Sequence, residues 1–185
     1  MPALLAQAEE IMSPCMQRLL LQLWQEWREL EVQIEATTGE IERIANHDLA
    51  CQRLLDVPGV GPLVATALVA AVGNGSAFAR GRDFAAWLGL VPRQSSTGGK
   101  PRLLGISKRG NPYLRRLFLH GARSVISHAN RDTHPLAPWI KSLASRAHRN
   151  VLIVALANKL ARAAWAVLAT GAPYRAVYPP AAAAV

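Results

Sequence analysis

Acidic residues are scarce in this 185-residue sequence after position 56. Residues 57–185 contain Asp83 and Asp132 against seventeen lysines and arginines, a formal charge of +15. Residues 1–56 carry ten acids against four arginines, a charge of −6, so the two parts sum to the net charge of +9. A segment so poor in carboxylates cannot neutralise its own basic groups, which favours a polyanionic partner. Nucleic acid is the first candidate and a membrane surface the second.

Metal-binding patterns and reactive cysteine patterns are also missing. Cys15 and Cys51 form neither a zinc spacing nor a disulfide framework, which fits a reducing cytosol. The five histidines show no metal spacing with cysteine or acid, and no GxxxxGK[ST] phosphate loop occurs. A two-metal nuclease needs several carboxylates around its ions. We therefore expect no metal and no cofactor in this chain.

Targeting and membrane-spanning patterns are weak. Glu9 and Glu10 interrupt the early apolar run, so no secretory signal is predicted. Residues 151–169 form a run long enough to span a bilayer, but it contains Lys159 and Arg162. We interpret this run as a buried helix and expect no membrane partner.

What is present is mostly helical in pattern. Alanine and leucine are abundant, which favours helix over sheet. The sequence predicts an all-α fold: an N-terminal coiled-coil helix, then a helical domain with a helix-hairpin-helix and a long basic glycine/serine loop over 92–111. The predicted segments are an acidic helical part over 1–50, a helix-hairpin-helix domain over 51–178 and a disordered tail over 179–185.

Residues 16–45 contain a heptad seam with an unbroken alternation of three and four residues. This spacing predicts one stripe of a supercoiled helix. One interpretation is a long helix or helical hairpin packed on its own domain. The other is a coiled coil that joins two chains. The seam residues are Leu20, Leu23, Trp27, Leu30, Ile34, Thr37, Ile41 and Ile44.

Residues 53–73 place a Pro-Gly-Val-Gly-Pro turn between an apolar segment and a helix of small residues. This pattern resembles the helix-hairpin-helix DNA-binding motif. Gly59 and Gly61 permit positive φ and a close approach of the backbone, and N–H groups at the start of the second helix can bind phosphate. Contacts at Gly59, Val60 and Gly61 would position DNA without reading its sequence. The alternative is a plain helical corner whose glycines serve only the turn.

Helix boundaries follow from local capping signals. A short helix capped by Asp83 is predicted to bury Phe84 and Trp87. Asn111 and Pro112 form an N-cap and first-turn pair for a helix to about residue 130. A further helix covers about 136–147, and a last one runs from about residue 150 to Gly171.

The hydroxyl groups of the basic loop are the candidates for chemistry. Fixed cations stabilise the charge that develops when a serine attacks a phosphodiester, and a phosphoserine keeps the energy of the broken bond for rejoining. The alternative is an ordinary flexible loop that only holds phosphate. The loop contains Ser95, Ser96, Thr97 and Ser107 among Arg93, Lys100, Arg102, Lys108 and Arg109, and Arg115 and Arg116 follow on the next helix.

Five ordered blocks carry a family resemblance: 57–62 (VPGVGP), 84–94 (FAAWLGLVPRQ), 96–100 (STGGK), 105–111 (GISKRGN) and 113–115 (YLR). They resemble the C-terminal transposase domain of insertion-sequence family one-hundred-ten, eleven-eleven subgroup. The match runs from the heptad region to about Tyr178. The family's members are recombinases guided by a bridge RNA from their own element, and they combine this domain with an N-terminal RuvC-like half bearing an Asp-Glu-Asp-Asp set.

The resemblance implies a serine nucleophile, which maps to Ser96, with Ser95 and Thr97 as fallback positions. It also implies DNA and a guide RNA as partners and a homo-oligomer assembled through residues 16–45. This sequence contains no RuvC-like half, so we expect a truncated copy that needs such a half in trans, and Mg²⁺ is expected only there. The alternative is a catalytically silent remnant that binds DNA or RNA through the helix-hairpin-helix and the arginine-rich helix. A membrane-surface or assembly protein is a third, weaker option.

Overall fold

The computed structural model describes residues 12–97, 100–128 and 134–175. The chain divides into two compact units, Met1–Arg43 and Ile44–Val185. Helix α1, Pro14–His47, begins in the first unit and ends in the second. The sequence predicts a boundary between two segments at residue 50. The disordered tail that it predicts over 179–185 lies outside the described residues.

Helix α1 is one uninterrupted helix of 34 residues, so the helical-hairpin alternative is wrong. Most side chains of its heptad seam are exposed to solvent. Leu23, Trp27 and Ile34 are 59%, 64% and 65% exposed. The seam is therefore available to a partner, and the coiled coil stays a prediction.

The second unit is helical with one small antiparallel sheet, which confirms the all-α class. Among the described residues the whole chain has seven helices and two strands. After α1 these are α2 (Leu49–Leu55), α3 (Pro62–Val72), α4 (Gly81–Trp87), β1 (Pro92–Thr97), β2 (Lys100–Ile106), α5 (Pro112–His128), α6 (Ala137–Ala144) and α7 (Arg149–Thr170).

Helix α7 is the centre of the second unit. It packs against α2, α4, α5 and α6, and its Leu156 and Leu160 are at most 2% exposed. Within the described part of the chain, α7 is the helix that is long and apolar enough to cross a membrane. Half of the apolar stretch of α7 is buried inside the protein. This burial agrees with the interpretation of residues 151–169 as a core helix.

An aromatic cluster fills the core between α4 and α5. Phe84 is fully buried, and its ring lies 5.9 Å from that of Trp87 and 6.4 Å from that of Phe118, centroid to centroid. Phe78 meets the Phe84 ring edge-on at 5.3 Å. The prediction that Phe84 and Trp87 belong to the core is confirmed.

The capping predictions have mixed outcomes. Asn111 caps α5, because its Oδ1 accepts hydrogen bonds from the N–H groups of Tyr113 and Leu114, each at 3.0 Å. Gly171 ends α7 in the left-handed conformation, as predicted. The Asp83 cap is wrong: α4 begins at Gly81 with Arg80 as N-cap. The helix starts earlier because the Arg80 carbonyl already accepts from the N–H groups of Asp83 and Phe84, at 2.9 and 3.3 Å. Gly81 packs closely against α7, where a Cβ would lie 3.0 Å from the Trp165 ring.

The predicted loop over 92–111 is wrong for most of its length, because β1 and β2 pair as an antiparallel hairpin, called here the serine hairpin. Its register pairs Pro92 with Ile106 and Thr97 with Lys100, and it shifts between Pro92 and Gln94. Strand β1 is polar, and in β2 Leu103 and Leu104 are adjacent rather than alternating with polar residues, so the usual alternation of apolar and polar residues is faint.

The turn between α2 and α3 packs closely against α5. Gly59 has a φ of +74°, and a Cβ there would lie 2.7 Å from the carbonyl oxygen of Gly121. A Cβ on Gly121 would in turn overlap the Gly59 carbonyl oxygen. Gly61 is different, since its backbone is extended and a Cβ there would meet nothing within 4 Å.

We predict that Gly59→Ala lowers the free energy of unfolding by roughly 2–4 kcal/mol, because it combines positive φ with a backbone clash. Gly61→Ala, the matched control in the same turn, should change it by less than about 1 kcal/mol. Urea unfolding followed by far-UV circular dichroism measures both. Equal losses in the two variants would show that the Gly59–Gly121 contact does not exist in solution.

Candidate nucleic-acid interface

The register of the serine hairpin separates the two adjacent serines. Ser95 stands opposite Arg102, and side chains of directly opposed residues project on the same face of a ribbon. Lys100 is two residues from Arg102 and shares that face. Ser96 projects on the other face, together with Gln94 and its partner Leu103. The structure therefore brings Ser95, not Ser96, onto the face of the two cations.

Ser96 has a hydrogen-bond partner of its own. The Gln94 side-chain amide donates to the Ser96 Oγ at 2.8 Å. A donor on Oγ favours negative charge on that oxygen and leaves the hydroxyl proton free to move. Gln94 was not predicted as a site residue. The period-two spacing of Gln94 and Ser96 is the signal that could have identified it, had the segment been recognised as a strand.

The cations around the serines are exposed. Arg93, Lys100 and Arg102 lie on the hairpin strands, and Lys108 and Arg109 lie just past β2. Asp83 on α4 is the acid that the structure describes after residue 57; Asp132 lies outside the described residues. The hairpin thus presents positive charge without carboxylates of its own.

The base of the hairpin is fixed to the helical domain by backbone contacts. The N–H groups of Ser107 and Lys108 donate to the carbonyls of Val91 and Gly89 at 2.8 and 3.2 Å. Gly89 and Gly110 both have positive φ, and a Cβ on either would overlap a backbone oxygen, of Arg109 and Trp87 respectively. Side chains larger than hydrogen are thereby excluded at both ends of the hairpin.

Two neighbouring arginines at the start of α5 point to different surroundings. Arg115 is half-buried, and its Nη1 donates to the carbonyls of Leu88 at 3.0 Å and Arg109 at 3.4 Å. Arg116 is exposed. With Tyr113, His120 and Arg123 it forms an exposed row at spacings of three and four residues, called here the α5 stripe.

The α2–α3 turn contributes unequally to a phosphate site. Gly59 packs on Gly121, and the Val60 side chain is 5% exposed, so both serve the fold. Gly61 is open and caps α3, whose Pro62 has no N–H and whose Leu63 is 44% exposed. The N-terminal end of α3 is therefore the part of this turn that a phosphate can approach.

Other groups of reactive type fit catalysis poorly. Burial, and then the hydrogen bond and charge of Asp48, raise the pKa of Cys51 to about 11, so its thiol stays protonated at neutral pH. Among the described residues, no group of three His, Cys, Asp or Glu side chains could hold a metal ion. The hydroxyls of the serine hairpin are the exposed nucleophiles that lie among cations.

Comparison with known proteins identifies the class. The family model described as "Transposase IS116/IS110/IS902 family" matches residues 51–136, from α2 to the residue before α6. Residues 51–136 therefore form a domain of this transposase family, which confirms the resemblance carried by the motif blocks.

Three bacterial transposases are similar over most of the chain. A "Probable family 20 transposase" of Pseudomonas aeruginosa is 47% identical over 86% of this chain and 47% of that protein. The transposase for insertion sequence element IS1328 of Yersinia enterocolitica is 44% identical over 88% and 49%. That for IS1111A of Coxiella burnetii is 41% identical over 95% and 48%. The chain spans about half the length of the curated relatives it matches.

We predict that a Ser95→Cys/Arg102→Cys double variant forms a disulfide under mild oxidation, because opposed residues of a ribbon meet the Cα and Cβ distances of a disulfide. A Ser96→Cys/Arg102→Cys variant should not, since its side chains lie on opposite faces. Both are made with Cys15→Ser and analysed by peptide mass spectrometry. A crosslink to position 96 in preference to 95 would contradict the register.

Proposed function

We propose that this chain is a DNA-binding transposase domain whose Ser96 is the nucleophile for DNA strand cleavage and rejoining. One observation carries the proposal: a domain of a transposase family presents an exposed Ser96, hydrogen-bonded to Gln94, on a carboxylate-free hairpin that also carries Arg93, Lys100 and Arg102.

The chemistry balances with the groups on the hairpin and one sugar oxygen. The Ser96 Oγ loses its proton and forms a bond to phosphorus, the bond from phosphorus to a deoxyribose oxygen breaks, and that oxygen takes up one proton and leaves as a hydroxyl. The phosphoserine then reacts with an incoming sugar hydroxyl by the reverse route, which restores the serine. The Gln94 amide supports negative charge on Oγ while the first bond forms.

The cations stabilise the crowded negative charge on phosphorus. Lys100 and Arg102 lie on the face opposite Ser96. A ribbon is only one backbone thick, so these charges act across it within a Debye length of about 10 Å at 0.1 M salt. Arg116 and Arg123 on the α5 stripe, together with Lys108, Arg109 and the open end of α3 at Gly61, add backbone-phosphate contacts.

The described residues offer no carboxylate set for metal ions. We propose that a RuvC-like half, distinct from this domain, provides the carboxylates and their Mg²⁺. A guide RNA is a second polyanion that the same basic surface fits. Assembly of copies through residues 16–45 is supported by the exposed seam of α1.

We predict that Ser96→Ala abolishes strand transfer but leaves DNA affinity within about twofold, because the substitution removes the attacking oxygen and no charge. The chain is mixed with DNA, guide RNA and a complete relative whose own serine is replaced, and joined product is measured on sequencing gels. Affinity is measured across a salt series. For each tenfold rise in salt concentration, the logarithm of the association constant should fall by about 0.9 per phosphate contact.

Ser95→Ala is the matched control and should retain strand transfer. Transfer lost at Ser95 but kept at Ser96 would move the nucleophile to the fallback position. Equal transfer in both variants, with salt-dependent binding intact, would favour the catalytically silent binding remnant.

We predict that the chain sediments as an oligomer and that Leu30→Lys lowers its mass to that of a monomer, because a charge at the centre of the seam is expensive to bury. Val32→Lys is the matched control, since Val32 is 63% exposed and lies outside the seam. Analytical ultracentrifugation decides; a monomeric unaltered chain, or equal dissociation in both variants, would contradict assembly through the seam.

A further inference from the structure

We infer that Arg115 is a positioning residue that holds the serine hairpin in place rather than a contact to phosphate. The inference starts from its geometry. Its Nη1 donates to the carbonyl of Leu88 at 3.0 Å and to that of Arg109 at 3.4 Å, and the side chain is half-buried. These donors are therefore already directed at groups of the same chain.

The two carbonyls lie at the two ends of the hairpin. Leu88 is the C-cap of α4, immediately before the chain enters the hairpin, and Arg109 lies just after the chain leaves it. One guanidinium on α5 thus connects the entry and the exit. Carbonyls at a helix C-terminus lack intrahelical partners and carry partial negative charge, which makes a cation the fitting donor.

The backbone around this connection is strained. Lys108 has a φ of +56° although it is not glycine, and such a conformation persists only when its surroundings fix it. Its N–H donates to Gly89, and a Cβ on Gly89 would lie 2.9 Å from the Arg115 Nη1. Arg115 therefore packs directly against Gly89, the residue that accepts the hydrogen bond of the strained Lys108.

The neighbouring Arg116 supplies the contrast. Successive residues of a helix point about 100° apart, so Arg116 faces solvent on the α5 stripe while Arg115 faces the hairpin base. A phosphate contact needs charge, which lysine also provides. The connection between the two carbonyls is made by Nη1 at the far end of the planar guanidinium, and the shorter lysine side chain reproduces neither this reach nor the fixed direction of the two N–H groups.

The test compares four variants of the full chain: Arg115→Lys, Arg115→Met, Arg116→Lys and Arg116→Met. Hydrogen exchange measured by NMR reports the amides of Ser107 and Lys108, which close the hairpin base. Both Arg115 variants should raise these exchange rates about tenfold or more, since a hydrogen bond to a charged donor is lost. Both Arg116 variants should leave them within about twofold.

DNA affinity provides the second measurement, and this arm rests on the proposed function. Arg116→Met should weaken binding and Arg116→Lys should restore it, whereas Arg115→Lys should bind no better than Arg115→Met. If lysine restores both exchange protection and affinity at position 115, Arg115 is a phosphate contact and the inference is overturned. Unchanged exchange in Arg115→Met would overturn it as well.

Failure of the inference is separable from failure of the proposed function. Should Arg115→Met lose its helical circular dichroism, the comparison of Arg115→Lys with Arg116→Lys still decides, because both variants keep the charge. Should the unaltered chain bind DNA without salt dependence, the proposed function fails, while the exchange rates at Ser107 and Lys108 still test the role of Arg115.

Discussion

The packing of helix α7 is the constraint on which the second unit depends. Its buried face combines Leu156 and Leu160 with alanines that are fully buried, so neighbouring helices come close to its backbone. Gly81 of α4 packs against Arg162 of α7, because a Cβ added to Gly81 would lie 3.4 Å from the Cα of Arg162. The Asn158 amide donates across to the Leu90 carbonyl at 3.3 Å. Helix α4 leads into the hairpin and α5 follows it. The contacts of α7 with these two helices therefore set the position of the serines.

The serine hairpin needs this support because it has little stability of its own. A two-stranded ribbon is marginal in water, and Leu103 is 66% exposed rather than buried beneath it. Five exposed cations close together add repulsion that no acid of the hairpin relieves. The order of the hairpin therefore comes from its base, where glycines permit backbone contact and polar groups close the ends. A polyanion bound to the cations would remove the repulsion, so ligand binding and hairpin order are expected to reinforce each other.

Much of this architecture could be predicted from the sequence, and the failures have physical causes. The cap at Asn111, the stop at Gly171 and the buried run of α7 follow from local rules, which is why those predictions are confirmed. The sequence predicts a loop in place of the hairpin because neither strand shows a regular apolar alternation, although Gly98-Gly99 between two extended runs is itself a hairpin signal. The start of α4 differs from the prediction because the carbonyl of Arg80, rather than the side chain of Asp83, opens the helix, and the close packing of Gly81 on α7 at this point is invisible in the sequence.

The candidate site shows the same limit at the level of single residues. The sequence identifies a cluster of serines and cations, and it offers Ser95 and Ser96, or Arg115 and Arg116, as nearly equivalent neighbours. In a strand one step turns a side chain to the opposite face, and in a helix it turns it by about 100°. Ser96 thus meets Gln94 while Ser95 meets Arg102, and Arg115 meets backbone carbonyls while Arg116 meets solvent. Composition indicates a surface suited to polyanions, whereas the register of β1 and the rotation of α5 determine the surroundings of each member of the two pairs.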